Sequence, residues 1–224
     1  NYNEANTKYY GSTEKKCKKC NSKLNINHEE LFKISSDKED KIYKEKAISG
    51  TQIGRYHFLS NYFIPKNLEG IDYKFLAFKG NKILIKRIDT RIEGSFDTSG
   101  LLAFNTVYSL YNKKLSKNQF LWILALLNSK LIHFFYEDSY NVGMNLTTQV
   151  TIDFLSKITI HMPPSAQENK LVSLVTHMLE FQKEYYDPKV MGNEKERLKK
   201  QIDAVDYEID QEGYKLYGIT DEEK

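Results

Sequence analysis

Between Lys82 and Tyr111 the chain reads KILIKRIDTRIEGSFDTSGLLAFNTVYSLY, and this stretch limits the possible folds more than any other. Ile83, Leu84 and Ile85 are consecutive apolar residues held between Lys82 and the Lys86-Arg87 pair. That order predicts a strand buried along its middle and wet at its ends. Leu101 to Tyr111 puts Phe104, Thr106, Tyr108 and Leu110 on one face and Asn105, Val107, Ser109 and Tyr111 on the other, a second strand able to pair with the first. Arg87 and Arg91 lie between them beside Asp89, Thr90 and Ser95, with Gly94, Asp97 and Gly100 supplying turn chemistry at an exposed tip. Such a connection has reach and charge but no catalytic set.

The flanking segments add helices and loops. Lys117 to Tyr136 is apolar nearly all round and lacks Gly and Pro, which predicts a largely buried helix with Trp122 in the core. Asn128-Ser129 interrupts it with two hydrogen-bonding side chains, marking a helix end or a polar contact with a neighbouring strand. His133 reads as a partly buried structural histidine. Upstream, Ile48 to Ile64 has turns at Gly50 and Gly54 and brings Arg55, Tyr56 and His57 together. Cations beside rings can meet phosphates and bases; equally, Tyr56 and Phe58 can face a core while Arg55 forms an ion pair. Asn141 to Gln149 is loop-like and presents Thr147, Thr148 and Gln149, with a further element starting in Val150 to Phe154. Lys157 to Met162 alternates as a strand does and then meets Pro163-Pro164, a domain boundary.

From Ser165, the spacing Ser165-Ala166-Gln167-Glu168 predicts a capping box opening an apolar helix, broken between Asp187 and Asn193. A second helix from Glu194 places Leu198, Ile202, Val205, Ile209 and Leu216 on a heptad seam, which Glu212 and Gly213 interrupt near its end. The charge divides at the same place. Residues 166–224 hold 9 Lys and Arg against 14 Asp and Glu, and residues 1–165 hold 24 against 16. A basic first part is the footprint of a polyanion binder or, equally, a solvated surface.

Several function classes are disfavoured. The longest uncharged apolar run, Phe120 to Leu127, is far short of a membrane span, and two cysteines do not make a disulfide framework, so a cytoplasmic setting is expected. Cys17 and Cys20, with His28 as a third ligand, supply at most part of a zinc site, and no metal is assigned. The five histidines are dispersed and no nucleophile motif accompanies them. Met162-Pro163-Pro164-Ser165 lacks both the Asn and the aromatic that an amino-methyltransferase uses to grip a flipped base, and no Gly-rich cofactor loop or nuclease-type acid spacing is present. An amino terminus at Asn1 suggests a fragment of a longer chain.

An ordered set of blocks carries a family resemblance: Gly50-Thr51-Gln52-Ile53-Gly54-Arg55-Tyr56, Lys82 to Arg87, Phe104-Asn105-Thr106-Val107-Tyr108 and Leu126-Leu127-Asn128-Ser129-Lys130-Leu131. The ending, Ile202 to Tyr207 and then Tyr214-Lys215-Leu216-Tyr217-Gly218-Ile219-Thr220-Asp221-Glu222-Glu223, extends it. Together these resemble the TaqI-like C-terminal specificity domain of single-chain restriction-modification enzymes and adenine-specific DNA methyltransferases, which is similar to type I specificity-subunit recognition domains. The resemblance covers about Ala47 to Lys224. It implies an α/β (α+β) fold in which a twisted mixed sheet with packed helices forms a DNA-recognition lobe over residues 47–165. An unassigned segment, 1–46, precedes it, and a C-terminal helical pair with a short coiled-coil seam follows over 166–224 as a spacer or dimerisation region.

The implied function is non-catalytic, sequence-specific binding of double-stranded DNA; the alternative is a coiled-coil interaction module with a basic scaffold. Arg91, Thr147, Thr148 and Gln149 are the expected base readers, with Arg55, Tyr56, Lys86 and Arg87 on the backbone. No cofactor is expected in this chain; the parent enzyme would use S-adenosylmethionine, and Mg2+ if it cleaves. Expected partners are duplex DNA, the parent's methyltransferase or nuclease domains and a helix-mediated dimer, with no membrane.

Overall fold

A computed structural model describes residues 36–41, 43–65, 80–140 and 148–223. The candidate ligands Cys17, Cys20 and His28 and the candidate reader Thr147 lie outside the described residues. The strands among the described residues are β1 (Tyr43–Ile48), β2 (Ile53–Gly54), β3 (His57–Phe58), β4 (Tyr62–Pro65), β5 (Lys82–Lys86), β6 (Ile88–Asp89), β7 (Gly94–Asp97), β8 (Leu102–Ala103), β9 (Val107–Leu110) and, after two helices, β10 (Thr148–Gln149). The helices are α1 (Lys117–Asn128), α2 (Lys130–Tyr140), α3 (Ile152–Lys157), α4 (Ser165–Tyr185) and α5 (Asn193–Tyr217). This is a mixed α/β arrangement, small sheets with helices packed on them.

β5 is the centre. It pairs antiparallel with β7 on one edge, Lys82 opposite Asp97 and Ile85 opposite Gly94, and with β9 on the other, Ile83 opposite Leu110 and Lys86 opposite Val107. The predicted pairing of the two strands is therefore present. The three consecutive apolar residues are explained by burial on both faces. Ile83 and Ile85 point into the main core with Phe120 and Leu124 of α1, while Leu84 points the other way, into a cluster with Ile48, Ile53, Leu101 and Val107.

Two expectations change here. The connection between the strands is not all exposed tip, because Gly94–Asp97 is itself a strand and only Asp97 to Gly100 forms the turn. There Asp97 accepts from the Ser99 and Leu101 N–H groups at 2.8 and 2.9 Å, and Gly100 takes φ 82°. Nor is β5 wet at its first residue. Lys82 is 1% exposed, with Nζ 3.1 Å from the Asp97 carboxylate and 2.7 Å from the Leu101 carbonyl. A buried lysine needs such partners, and a cross-strand ion pair also fixes the register.

The single predicted helix is two helices. α1 opens with a capping box in which Ser116 and Gln119 exchange side-chain and backbone hydrogen bonds. It buries Trp122 at 3% exposure and stops at Asn128. Ser129 Oγ then accepts from the Ile132 N–H and starts α2. Asn128, nominated as a polar contact with a strand, is one: Oδ1 accepts from Gly94 N–H at 2.9 Å and Nδ2 donates to the Gly94 carbonyl at 3.0 Å.

Three further expectations are corrected. Lys157 to Met162 makes no strand; α3 occupies Ile152–Lys157 and an extended segment runs on to the prolines. Ser165 is inside α4 rather than its cap, because the Pro164 carbonyl already accepts from Glu168 N–H, and no side chain caps that end. The heptad residues of α5 are on its packed face, but α1 shares that face with α4, so Ile202 and Ile209 belong to the main core. Glu212 is buried and held by Lys170 and Lys215, each at 2.9 Å, and by Gln167. Those contacts, with Lys195 over the Tyr185 ring, make α4 and α5 an antiparallel pair. No helix among the described residues is long and apolar enough to cross a membrane.

Asn128→Ala leaves the Gly94 N–H buried without a partner. The expected loss is roughly 1–3 kcal/mol in urea unfolding, and an unchanged midpoint would show that the contact holds nothing together.

Candidate nucleic-acid interface

Seven of the eight nominated DNA-binding residues lie among the described residues, and they separate into two places. At the Lys86 end of β5 the chain makes a polar edge. β6 pairs antiparallel with β10, Ile88 opposite Gln149 and Asp89 opposite Thr148. Arg87 is gripped from both sides: its N–H donates to the Thr106 carbonyl at 3.0 Å and its carbonyl accepts from Val150 N–H at 2.8 Å. Its guanidinium donates to the Asn105 carbonyl at 2.9 Å and lies 5.4 Å from the Tyr108 ring centre. With the Gln149 amide turned so that its oxygen faces the guanidinium, that oxygen accepts from Arg87 Nη2 at 2.6 Å and Nε at 2.9 Å. In that orientation the Arg87 fork gives two N–H groups to one Gln149 oxygen at the surface, Gln149 exposed and Arg87 partly so.

Lys86 lies beside this pair but is committed to carboxylates, bridging to Asp89 and sitting 3.7 Å from Glu93. Burial alone would raise the Asp89 carboxyl, but the Lys86 ammonium and the Thr90 N–H outweigh it and hold the group below the usual carboxylate range. Burial and the Asp89 charge push Glu93 up. Lys86 therefore offsets one of the two carboxylate charges at the base of the edge. Thr148 enters through its backbone pairing with Asp89.

The second place is interior. β2 and β3 form a hairpin with Arg55 and Tyr56 as its two-residue turn, and Tyr56 takes φ 64°, a left-handed conformation that costs a non-glycine residue about 1–2 kcal/mol. Burial offsets that cost: Tyr56 is 1% exposed in the main core, its N–H donates to the Gly94 carbonyl at 2.9 Å, and burial pushes its phenol well up. Arg55 makes a fork with Asp206 of α5, Nη1 to Oδ2 at 2.9 Å and Nη2 to Oδ1 at 2.5 Å, and Nη2 also reaches the Asn128 carbonyl at 2.8 Å. Arg91 Nη2 reaches the same carbonyl at 3.2 Å, and burial with the neighbouring Arg55 charge lowers its pKa. Of the readings left open for Arg55 and Tyr56, the ion pair and the core position are what the structure contains. Tyr56 has no surface to offer DNA, and Arg55 and Arg91 spend donors on the end of α1.

Sequence reasoning nominated none of Asn105, Tyr108, Asp206 or Asp210 as functional, although Asn105, Tyr108 and Asp206 lie within the blocks that carried the family resemblance. Asp210, one turn beyond Asp206, accepts from Lys130 N–H at 2.9 Å and so caps α2 from α5. Among the described residues, no group of three or more His, Cys, Asp or Glu side chains is placed to hold a metal ion.

The model of the TaqI-like C-terminal specificity domain matches residues 4–160. The chain belongs to this family. The expected membership is borne out, and the match takes in most of the segment before Ala47 while ending ahead of α4. By that membership the chain contains a specificity domain. Among solved structures it is similar to the Type IIL restriction-modification enzyme MmeI in complex with DNA, at 12% identity and a TM-score of 0.57, over 79% of this chain and 28% of that one. That likeness is one of fold, and this chain spans little more than a quarter of the other. No curated protein matches.

Burial, and next the Asp206 charge, raise the Asp210 carboxyl, against the Lys130 N–H and ammonium. A proton held more tightly in the folded state adds stability that is complete below the unfolded carboxylate value, about 3.9, and is lost as pH rises through the folded value. Asp210→Asn, which keeps an acceptor for Lys130, is expected to remove that decline. Urea midpoints of both proteins between pH 3.5 and 7 would test it, and parallel profiles would refute it.

Proposed function

We propose that this specificity domain reads duplex DNA with the Arg87–Gln149 edge, and that residues 47–165 form the reading lobe while 166–224 form a spacer carrying it. The observation that supports this most directly is the Arg87–Gln149 pair itself. An arginine fork and a carboxamide are the two side chains suited to bidentate reading, Arg to guanine O6 and N7 and Gln to adenine N6 and N7. Here they hold each other at an exposed edge made of short strands, with main-chain anchors on both sides. A side chain held in place before binding loses less freedom when it binds.

Held by each other, by the Asn105 carbonyl and by the Tyr108 ring at an exposed edge, both can exchange their mutual bond for base edges without leaving a buried group unsatisfied. Thr148, whose backbone pairs with Asp89, stays a candidate on the same edge, and Thr147 stays one by its place in the chain alone. Arg55 and Tyr56 are proposed as supports, since Arg55 ties the hairpin to α5, and Lys86 as a counter-charge that reduces the repulsion of phosphate by Asp89 and Glu93. Arg91 stays a candidate through its part-exposed side chain. Methyl transfer, and cleavage where it occurs, are assigned to other domains of a longer protein; α4 and α5 would pack against those domains or pair two copies. The interaction-module alternative is weaker, because the apolar face of α5 is turned toward α1 and α4.

Selection from random duplexes, followed by competition binding, tests the reading. Arg87→Ala and Gln149→Ala are each expected to lose about 1–3 kcal/mol of discrimination at a defined base pair. Because the two are one unit, the double variant should lose less than the sum. Arg55→Ala should lower stability and leave the selected motif unchanged. An unaltered motif in both edge variants, with the fold intact, would move the reading elsewhere.

A further inference from the structure

From Thr98 to Tyr136 the chain contains no Asp or Glu. Within that stretch Lys113, Lys114 and Lys117 are exposed, and no ion pair joins any of them to a carboxylate among the described residues. Lys82, Lys86, Lys130, Lys170 and Lys199, by contrast, each face an acid. The three lysines also sit where folding gives them no reason to be cationic. Lys117 is the first residue of α1 and the other two precede it, and positive charge opposes the dipole of a helix at that end.

The backbone beneath them is firmly built. Asn112 accepts from Lys114 N–H with its side chain at 2.9 Å and from Leu115 N–H with its carbonyl at 3.2 Å, so Lys113 and Lys114 occupy the middle of a closed turn. Leu115 packs on the core cluster that contains Phe120, and the Ser116–Gln119 capping box follows at once. Three uncompensated charges thus stand on a fixed platform, the arrangement that a long polyanion meets with little ordering cost.

We propose that Lys113, Lys114 and Lys117 are a second DNA contact, one that holds phosphates and reads no bases. β9 runs from Val107, beside Lys86 at the reading edge, to Leu110, beside Ile83 at the far end of β5. At about 3.3 Å per residue the lysine turn lies up to roughly 20 Å from the edge. That is the rise of about six base pairs along one strand. A duplex lying along β9 would meet the Arg87–Gln149 edge with its bases and the lysines with its backbone one half-turn further on. The contact rests on the DNA-reading proposal and adds to it a sequence-independent anchor.

The test compares the 224-residue chain with K113Q/K114Q/K117Q, and with the three Lys→Arg changes together, on a selected duplex and a scrambled one across a salt series. In the glutamine variant the slope of log affinity against log salt should fall by about 2 to 3, at about 0.9 for each phosphate no longer neutralised. Affinity for both duplexes should drop by the same factor, the thermal midpoint should hold, and the arginine variant should retain the slope. An unchanged slope in a folded glutamine variant overturns the lysine contact while leaving the reading edge standing. Failure of the unaltered chain to bind any duplex overturns the DNA reading itself.

Discussion

Asn128 is the point at which sheet, hairpin and helices are joined, and most of the fold depends on it. Its side-chain amide completes both backbone groups of Gly94, so the end of α1 is bonded to the edge of β7 as another strand would be. Its own carbonyl, left over at the helix end, receives Arg55 and Arg91. A helix C-terminus carries partial negative charge, so two guanidinium groups are favourable there and would be costly almost anywhere else in a half-buried site. Gly94 also receives Tyr56 N–H, so one residue of β7 organises the hairpin that carries Arg55. A Cβ on Gly94 would lie 3.2 Å from the Leu84 carbonyl, so the approach depends on the absence of a side chain.

The same joint connects the lobe to the acidic tail. Asp206 and Asp210 are one turn apart on α5; the first takes the Arg55 fork and the second caps α2. The negative charge of the tail is thus partly structural. It meets a cation and a helix N-terminus that the lobe would otherwise leave unsatisfied, and it aligns the lobe on the helical pair. Lys82 and Asp97 do comparable work inside the sheet, where a one-residue slip of β5 would bury a lone charge.

What was legible in the sequence follows from which physical signals are local. The Ile83-Leu84-Ile85 run could be read because burial on both faces removes alternation, and the helix after Lys117 because its apolar character is continuous. Asn128-Ser129 marked its break because polar side chains inside an apolar run need partners. Lys82 was misread because a lysine is exposed by default, and its partner Asp97 arrives from a different strand. Lys157 to Met162 alternates like a strand, yet Pro163 and Pro164 follow and no edge among the described residues receives it. Arg55 and Tyr56 looked like a binding pair because a cation beside a ring has the same appearance in a core as on a surface. Only the distant Asp206 decides between the two.

The division between Arg55 and Arg87 carries a general consequence for a specificity domain. Both are arginines near aromatic rings, 5.7 Å from Tyr56 and 5.4 Å from Tyr108. Arg55 is bound by a carboxylate and a helix end, partners whose removal would leave buried charge behind, so it cannot be released to a ligand. Arg87 is bound by a neutral amide and one carbonyl at an exposed edge, where water can replace either. A domain whose target is to change must keep the first kind of arginine and vary the second. Arg87, between β5 and β6, and Gln149, on the two-residue β10, lie outside the hydrophobic clusters, so side chains there can change without altering the β5–α1 core or the Asn128 joint.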